Sequence, residues 1–402
     1  MPQKIIIDTD PGVDDVLALL MALASPELDL LAITTVHGNI DLYNTTRNAL
    51  SLFNVLQADG SQSWMKRDKP VLLAAGALHP LVAEKAVDAA YFHGRDGLGN
   101  VSAAFPEHVP GDSFTKEFST VPTASADDKP LQAAQGLQLS SRPAHEEILR
   151  ILAEEPEDTV TIVALGPLTN LSLAATQDYK TLARCKEFVI MGGALAVPGN
   201  VTPKAEFNCL GDPEAWAHIL SLSSKRPQST WHSSPESLHK RLELTLLPLD
   251  TTTFILLSYG DWHNATSLPN VKETLLARWC SVFIERTFET MKHLFTEASV
   301  EKLRLSMHDP ACIWYLLRDR DDARWKIKKE LDVRMECEGR WTRGMCIVDE
   351  RGRQRLAEGL EEDESDHDGW LSSSRGNRVA WVKETPGSEA FTRDLLSRVF
   401  GA

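Results

Sequence analysis

Residues 4–24 read KIIIDTDPGVDDVLALLMALA, and this segment combines a predicted strand, a turn and a helix. Lys4–Asp8 is a short apolar run that predicts a β-strand, Pro11-Gly12 predicts a turn, and Val13–Ala24 has the apolar spacing of a helix. Four aspartates lie within eight residues at the junction of strand and helix: Asp8, Asp10, Asp14 and Asp15. Four carboxylates this close together cannot all stay ionised at low energetic cost unless a cation neutralises them. Oxygen-only ligands favour a hard ion, Ca²⁺ or Mg²⁺, over zinc.

The same alternation of strand and helix continues along the chain. Further strands are predicted at residues 30–36, 160–165, 187–191 and 244–249, and further helices at 44–56, 168–176 and 213–220. The strands are almost continuously apolar, which is typical of strands buried on both faces of a parallel sheet. We therefore expect an α/β fold with an open, mostly parallel mixed sheet flanked by helices. The active site of such a sheet lies at the C-terminal ends of its strands.

Three polar stretches interrupt this alternation. Residues 102–144 and 222–240 are rich in Pro, Ser and Thr, and residues 354–377 contain a run of acidic side chains. Such stretches do not bury enough apolar surface to form layers of their own. We expect them to be surface insertions in a single domain that spans residues 1–402.

The composition excludes several classes of protein. The 402 residues include 57 Asp and Glu against 42 Lys and Arg, and the resulting net charge of −15 disfavours a nucleic-acid partner. No apolar run approaches the roughly 18–20 residues of a membrane span, so we expect no membrane association. The six cysteines are scattered and form no C-x-x-C pair, and no secretory signal is evident. These features favour a cytoplasmic protein with reduced thiols.

The aspartate cluster has two other interpretations. Asp14 and Asp15 could simply cap the helix and complement its positive end, where carboxylates are favoured. A strand followed by Asp-x-Asp also resembles the haloacid-dehalogenase-type phosphatases, in which Asp8 would be the nucleophile and Asp10 the acid/base of a Mg²⁺-dependent reaction. That family continues with Gly and then Thr or Val, whereas Pro11 follows Asp10 here.

Eight short motifs follow one another along most of the chain. They are DTDPGVDD at 8–15, TTVHGN at 34–39, HGRDGLG at 93–99, ALGPLTNL at 164–171, VIMGG at 189–193, AEFN at 205–208, LPLDTT at 247–252 and HDP at 308–310. This series, in this order, resembles the inosine/uridine-preferring nucleoside N-ribohydrolases. The resemblance implies hydrolysis of the N-glycosidic bond of ribonucleosides to free base and ribose, and a homodimer or homotetramer. A non-catalytic nucleoside-binding protein on the same scaffold is a further alternative, which the presence of the presumed base, metal ligands and acid disfavours.

The resemblance also implies a bound Ca²⁺. Its ligands would be the carboxylates of Asp10, Asp15 and Asp309 and the main-chain carbonyl of Leu165. A Ca²⁺ with open positions binds ribose hydroxyls and a water molecule and lowers the pKa of that water. Asp10 is then the base that takes the water's proton. Carboxylates around the sugar favour an oxocarbenium-like transition state over the neutral ground state.

Other residues match the substrate-binding and acid positions of the family. The residues that would hold the ribose are Asp14, Asn39, Met191, Glu206 and Asn208. His308 matches the general acid that protonates the leaving base, and His93 matches a second active-site histidine. Glu206 and Asn208 alternate, so in an extended segment both side chains would point to one side.

Several of these residues also have a purely structural interpretation. Asp309-Pro310 reads equally well as a helix N-cap followed by Pro, and Asp212-Pro213 has the same form, so only the resemblance separates the two. Asn39 could be a plain turn residue, since Asn tolerates left-handed backbone conformations. Phe288 and Phe295 are seven residues apart and could stack on the base from one helix face, or they could lie in the core.

Overall fold

A computed structural model describes residues 2–60, 69–82, 87–122, 133–294, 303–357 and 365–402. The strands are β1 (Gln3–Thr9), β2 (Leu28–Thr35), β3 (Val71–Ala75), β4 (Leu137–Ser140), β5 (Val160–Ala164), β6 (Glu187–Met191), β7 (Leu244–Leu247), β8 (Leu256–Ser258), β9 (Arg304–Ser306), β10 (Lys326–Leu331), β11 (Val333–Met335), β12 (Cys346–Val348) and β13 (Val379–Glu384). The helices are α1 (Val13–Leu23), α2 (Leu42–Asp59), α3 (Ala90–His93), α4 (Val101–Ala104), α5 (Ala144–Glu154), α6 (Thr169–Leu182), α7 (Phe207–Gly211), α8 (Pro213–Ser221), α9 (Leu249–Thr252), α10 (Tyr259–Thr266), α11 (Leu275–Leu294), α12 (His308–Leu317) and α13 (Ser388–Phe400).

A nine-stranded sheet forms the centre of the molecule, in the order β10-β13-β7-β6-β5-β1-β2-β3-β4. All neighbouring strands run parallel except β10, which pairs antiparallel with β13. Two antiparallel pairs, β8 with β9 and β11 with β12, lie outside this sheet. The expected α/β fold with an open, mostly parallel mixed sheet is confirmed.

The first strand is buried on both faces. Ile5 and Ile7 point into one apolar cluster and Ile6 points into the other, because successive side chains of a strand alternate. Residues of α1, α2, α11, α12 and α13 complete the first cluster, and residues of α5, α6 and α8 complete the second. Burying each isoleucine stabilises the fold by about 1.5–3 kcal/mol. The apolar run therefore fixes β1 between two layers of helices.

The predicted elements differ from the observed ones mainly at their ends. The segment 244–249 is predicted as one strand, but β7 ends at Leu247 and α9 begins at Leu249. Pro248 separates them because it has no N–H to continue the ladder of the sheet. Helix α2 begins two residues before its predicted start, because the Asp41 side chain accepts a hydrogen bond from the Asn44 N–H over 2.9 Å and caps the first turn.

One of the expected surface insertions belongs partly to the core. The end of segment 102–144 forms β4, which pairs with β3 at the edge of the sheet, and Phe114 and Phe118 in the same segment are buried. That segment is therefore not a purely surface feature, since its apolar side chains pack under the polar ones. The segments 222–240 and 354–377 contact each other, where Thr230 Oγ1 donates to Asn377 Oδ1 over 2.7 Å. Residues 123–132 and 358–364 of these stretches lie outside the described residues.

All six cysteines are free, and five of them are buried. The sulfur atoms of Cys209 and Cys346 lie 3.8 Å apart and are not bonded to each other. Across the described ranges, no helix combines the length and apolarity that crossing a membrane requires.

Candidate active site

The expected site residues meet at the carboxyl ends of four neighbouring strands. β1 leads into Asp10, β2 leads towards Asn39, β5 is followed by Leu165, and β6 ends at Met191. Because these strands are adjacent and parallel, their ends lie along one edge of the sheet. A cavity of about 480 Å³ opens there. Its wall includes nine of the eleven expected site residues: Asp14, Asn39, His93, Leu165, Met191, Glu206, Asn208, His308 and Asp309.

Three carboxylates from two separate segments form an acidic cluster, of which Asp14 and Asp309 line the cavity. Asp14 and Asp15 begin α1, and Asp309 begins α12, which packs against α1. One oxygen of each carboxylate lies within 4.8 Å of the others. Asp212, which has the same local sequence as Asp309, instead caps α8 by accepting from the Ala215 N–H over 3.0 Å. Packing of α12 against α1 is therefore what places Asp309, and not Asp212, beside the other aspartates.

The two remaining expected residues, Asp10 and Asp15, are buried behind the cavity wall. Asn39 connects them: its backbone N–H donates to Asp10 Oδ2 over 2.6 Å, and its side-chain amide donates to Asp15 Oδ2 over 2.9 Å. Asp15 also accepts from the Gly12 N–H over 3.0 Å, so it caps α1 as well as joining the cluster. Asp10 Oδ1 is buried and has no hydrogen-bond partner among the described residues.

Burial and mutual repulsion make this cluster unfavourable without a cation. Burial and, after it, the adjacent Asp15 carboxylate raise the pKa of Asp14 to about 7. Burial and the same neighbour raise the pKa of Asp10 well above its usual range. Burial and Asp14 do the same for the pKa of Asp309. These carboxylates and the unpaired oxygen of Asp10 fit a metal ion with oxygen ligands.

Two glycines allow the backbone to pass close to Asp10. A Cβ atom added to Gly38 would lie 2.0 Å from Asp10 Oδ2, and one added to Gly166 would lie 2.5 Å from Asp10 Oδ1. A Cβ atom cannot lie this close to a carboxylate oxygen, so one of the two groups would have to move. The motifs TTVHGN and ALGPLTNL therefore need glycine where their loops enclose the carboxylate.

Helix α7 carries the second group of polar side chains. Glu206 caps this helix: its carboxylate accepts from the backbone N–H groups of Gly193, Asn208 and Cys209 at 2.9–3.0 Å. The Asn208 amide donates to the Leu165 carbonyl over 2.6 Å. Asn208 therefore lies in a helix and not in an extended segment shared with Glu206. Glu206 and Asn208 reach the cavity together because the first lies just before the helix and the second in its first turn.

Two histidines, His93 and His308, lie in the wall of the cavity. His308 is the first residue of α12, and its Nδ1 lies 2.7 Å from Thr252 Oγ1. His93 Nδ1 accepts the N–H of Val13 over 3.3 Å. Burial lowers the pKa of His308 to about 4, and burial together with the nearby His308 lowers the pKa of His93 to about 4. Both imidazoles are therefore neutral near pH 7.

Several residues of the cavity wall were not predicted as site residues from the sequence. The mouth of the cavity is apolar and aromatic, with Tyr91, Phe92, Phe207, Met291 and Leu294 in its wall. Phe207 lies between two expected residues and could have been found from its position in AEFN. The others come from α3 and α11, where nothing local distinguishes them from core residues. Thr252, beside His308, belongs to LPLDTT, a motif to which the resemblance assigns no role.

Two alternatives from the sequence do not fit this geometry. Asp8 is fully buried, does not line the cavity, and accepts hydrogen bonds from Thr34 and Asn170 at 2.5 and 2.7 Å. It is therefore a poor candidate for the nucleophile of a phosphatase. Phe288 is also fully buried and packs edge-on against Tyr259, so its role is in the core. Phe295 lies outside the described residues.

Comparison with known proteins identifies the family. A family model described as inosine-uridine preferring nucleoside hydrolase matches residues 5–381. Uridine nucleosidase 1 of Arabidopsis thaliana is 39% identical over 98% of this chain and 90% of its own length. The inosine-uridine preferring nucleoside hydrolase of Leishmania major is 30% identical over 87% and 89%. A solved plant nucleoside hydrolase superposes with a TM-score of 0.69 at 25% identity, covering 100% of both chains. The chain is thus a hydrolase acting on N-glycosyl compounds, and it belongs to the inosine-uridine preferring nucleoside hydrolase family.

Proposed function

We propose that the protein hydrolyses the N-glycosidic bond of ribonucleosides to free base and ribose, with Ca²⁺ as its cofactor. One observation carries the proposal: a single cavity joins Asp14 and Asp309 of the acidic cluster to Glu206 and Asn208 and to His308. A nucleoside needs all three regions, since its sugar carries hydroxyls and its base leaves with negative charge. The names of the relatives, which mention uridine and inosine, agree with this substrate class.

The residues that would hold Ca²⁺ are Asp10, Asp15 and Asp309, together with the main-chain carbonyl of Leu165. The unpaired oxygen of Asp10 supports its place in this set, because a buried carboxylate oxygen without a donor is otherwise costly. When bound, Ca²⁺ supplies the Lewis acidity that orients the ribose hydroxyls and lowers the pKa of the attacking water.

The protein's own carboxylates have three tasks. Asp10 takes the proton of the attacking water. Asp14 and Glu206, with the amides of Asn39 and Asn208, hold the ribose hydroxyls and fix the sugar for attack at C1′. As the bond to the base lengthens, positive charge develops on the ring, and the surrounding carboxylates stabilise it more than they stabilise the neutral substrate.

His308 acts on the leaving base. A ring N–H of this residue donates to the base nitrogen as negative charge develops there. Acid assistance of this kind contributes on the order of 10²–10⁴-fold to the rate. We expect His308→Ala to slow hydrolysis of inosine and uridine by such a factor and to leave p-nitrophenyl riboside almost unaffected, because p-nitrophenolate delocalises its negative charge and leaves without a hydrogen-bond donor. An equal loss on both kinds of substrate would exclude this role.

A panel of purine and pyrimidine ribonucleosides, scored for free ribose, tests the proposed reaction. We expect ribose release that EDTA abolishes and that Ca²⁺ restores. Tight calorimetric binding without turnover would show a nucleoside-binding protein instead. Release of orthophosphate from phosphate esters in Mg²⁺, without ribose from nucleosides, would show a phosphatase.

We further propose three properties of the whole protein. It forms one domain, which is supported by a single sheet whose strands come from residues 3 to 384. It acts in the cytoplasm, which is supported by six free cysteines. It assembles as a homodimer or homotetramer, which is supported only by the family resemblance. Sedimentation of the purified protein tests the last of these.

A further inference from the structure

The motif LPLDTT at residues 247–252 has no role in the reaction described so far. It covers the end of β7 and helix α9. The Asp250 carboxylate accepts two backbone N–H groups of the loop after β6, each over 2.8 Å. The Thr251 hydroxyl donates to a carbonyl of β13. Helix α9 is therefore held from two sides, and its last residue, Thr252, has a fixed position.

Thr252 contacts His308 inside the protein. Its side chain is fully buried, and Thr252 Oγ1 lies 2.7 Å from His308 Nδ1. Within the part of the chain that the structure describes, the only other acceptor near this hydroxyl is the Pro248 carbonyl, 3.3 Å away. That carbonyl already accepts the backbone N–H groups of Thr251 and Thr252 at 2.9 and 3.0 Å. A carbonyl oxygen has two lone pairs, and these two N–H groups already use both of them. The hydroxyl of Thr252 is therefore better placed to donate its hydrogen bond to the imidazole nitrogen.

The position of that hydrogen decides which nitrogen of His308 can act on a substrate. A neutral imidazole carries one N–H, so if Nδ1 accepts from Thr252, the hydrogen is on Nε2. Nδ1 faces a buried residue, and His308 itself lines the cavity. Nε2 is therefore the nitrogen that remains for a bound molecule.

We propose that Thr252 is a positioning residue for the hydrolysis: its hydroxyl holds His308 in the Nε2–H tautomer and directs that N–H at the leaving base. The inference rests on the proposed function, because it requires His308 to act on the base. As the C1′–N bond breaks, its electron pair passes to the base nitrogen, which accepts the hydrogen bond from Nε2–H. On release the base takes a proton from solvent, and Asp10 returns to solvent the proton it took from water. His308 ends the cycle unchanged.

Kinetics on two kinds of leaving group test the role of the hydroxyl. Thr252→Val keeps the shape of the side chain and removes the donor. We expect kcat for inosine or uridine to fall about 10- to 100-fold with KM changed less than about threefold. Hydrolysis of p-nitrophenyl riboside should stay within about threefold of the unmodified enzyme. Thr252→Ser, which keeps the hydroxyl, should recover most of the nucleoside rate.

Thr251→Val is the matched control. It removes the hydroxyl of the neighbouring residue, which is also buried but contacts β13 and not His308. We expect it to lower stability and to leave the ratio of nucleoside to p-nitrophenyl riboside rates unchanged. A Thr252→Val enzyme that loses both rates equally, or a Thr252→Ser enzyme as slow on nucleosides as Thr252→Val, would overturn the proposal.

The tautomer can be measured directly, whether or not Thr252→Val folds well. In ¹⁵N-histidine-labelled protein, with the His308 signals assigned by their loss in His308→Gln, we expect a pyrrole-type shift for Nε2 and a pyridine-type shift for Nδ1. The reverse assignment in the unmodified protein would overturn the proposal. This result does not depend on turnover. If no nucleoside releases ribose, the proposed function fails, while the spectrum still decides which nitrogen carries the hydrogen.

Discussion

Removing one carboxylate from the acidic cluster should stabilise the metal-free protein and destabilise the metal-bound one. Asp309 is the suitable position, because its side chain is buried against Asp14 and Asp15 and comes from a different helix. Asp309→Asn keeps the size of the side chain and removes its charge. The free energy of unfolding in EDTA and in Ca²⁺ should therefore change in opposite directions.

The structure gives the size of the effect. Two unit charges 4.8 Å apart repel by about 3.5 kcal/mol at an effective dielectric constant of about 20, and Asp309 faces two such neighbours. Proton uptake relieves part of this repulsion, and the charge lost from the start of α12 costs about 0.5–1 kcal/mol. We expect Asp309→Asn to gain about 1–2 kcal/mol in EDTA. In Ca²⁺, a 100-fold weaker affinity would cost about 2.7 kcal/mol and reverse the order.

The measurement is urea unfolding at pH 8, in EDTA and in saturating Ca²⁺. We choose pH 8 because it lies above the pKa of Asp14, which burial and Asp15 raise from 3.8 to about 7. A raised carboxyl pKa means that the metal-free fold loses stability as the pH rises from about 4 to 7, and the whole penalty is present above that range. Calorimetric titration with Ca²⁺ gives the loss of affinity separately.

Asp212→Asn is the matched control, because Asp212 also precedes a proline at the start of a helix. It lies outside the cluster and caps α8. We expect this variant to change the stability by the same amount in EDTA and in Ca²⁺, because Asn also caps helices and Asp212 does not belong to the acidic cluster. If Asp309→Asn behaves in the same way, with an unchanged increment from Ca²⁺, Asp309 is only a helix cap and the proposed metal site is wrong.

Three further predictions concern single residues. Asp10→Asn should lower kcat for nucleosides by at least about 100-fold, as expected for loss of a general base, and near-normal turnover of every accepted nucleoside would contradict the proposed mechanism. Gly166→Ala should lower kcat at least about tenfold, because its Cβ would lie 2.5 Å from Asp10 Oδ1. Gly260→Ala is the control and should leave activity unchanged, because its Cβ would meet only Ser258 Oγ, at 3.9 Å, among the described residues beyond its chain neighbours and the backbone of its own helix. His218 Nδ1 lies 2.7 Å from Ser172 Oγ, and burial lowers the pKa of this histidine from 6.5 to about 4. The folded protein therefore gains up to about 3 kcal/mol in its free energy of unfolding above pH 6.5, and this gain is lost as the pH falls towards 4. His218→Gln should flatten urea-unfolding stability between these pH values, and an unchanged slope would show that this histidine does not titrate as expected.

Much of the fold follows from local sequence. The strands buried on both faces are continuous apolar runs, and the glycines, prolines and aspartates that end them stand next to them in the chain. The ends of the elements were less predictable. Residues 137–140 look like part of a polar insertion, because a four-residue edge strand leaves too short a pattern. Glu206 and Asn208 do not share an extended segment, because the Glu206 carboxylate caps α7 and also accepts the Gly193 N–H from the loop after β6.

The sequence alone determined the chemistry that is available: four aspartates after the first strand, glycines beside them, and a set of motifs in the order of one family. Only the tertiary structure decided which of two identical Asp-Pro pairs joins the aspartates, which nitrogen of His308 meets Thr252, and which aromatic side chains reach the cavity. The physical reason is distance along the chain. A strand or a cap depends on residues a few positions apart, whereas Asp309 meets Asp14 only because α12 packs on α1.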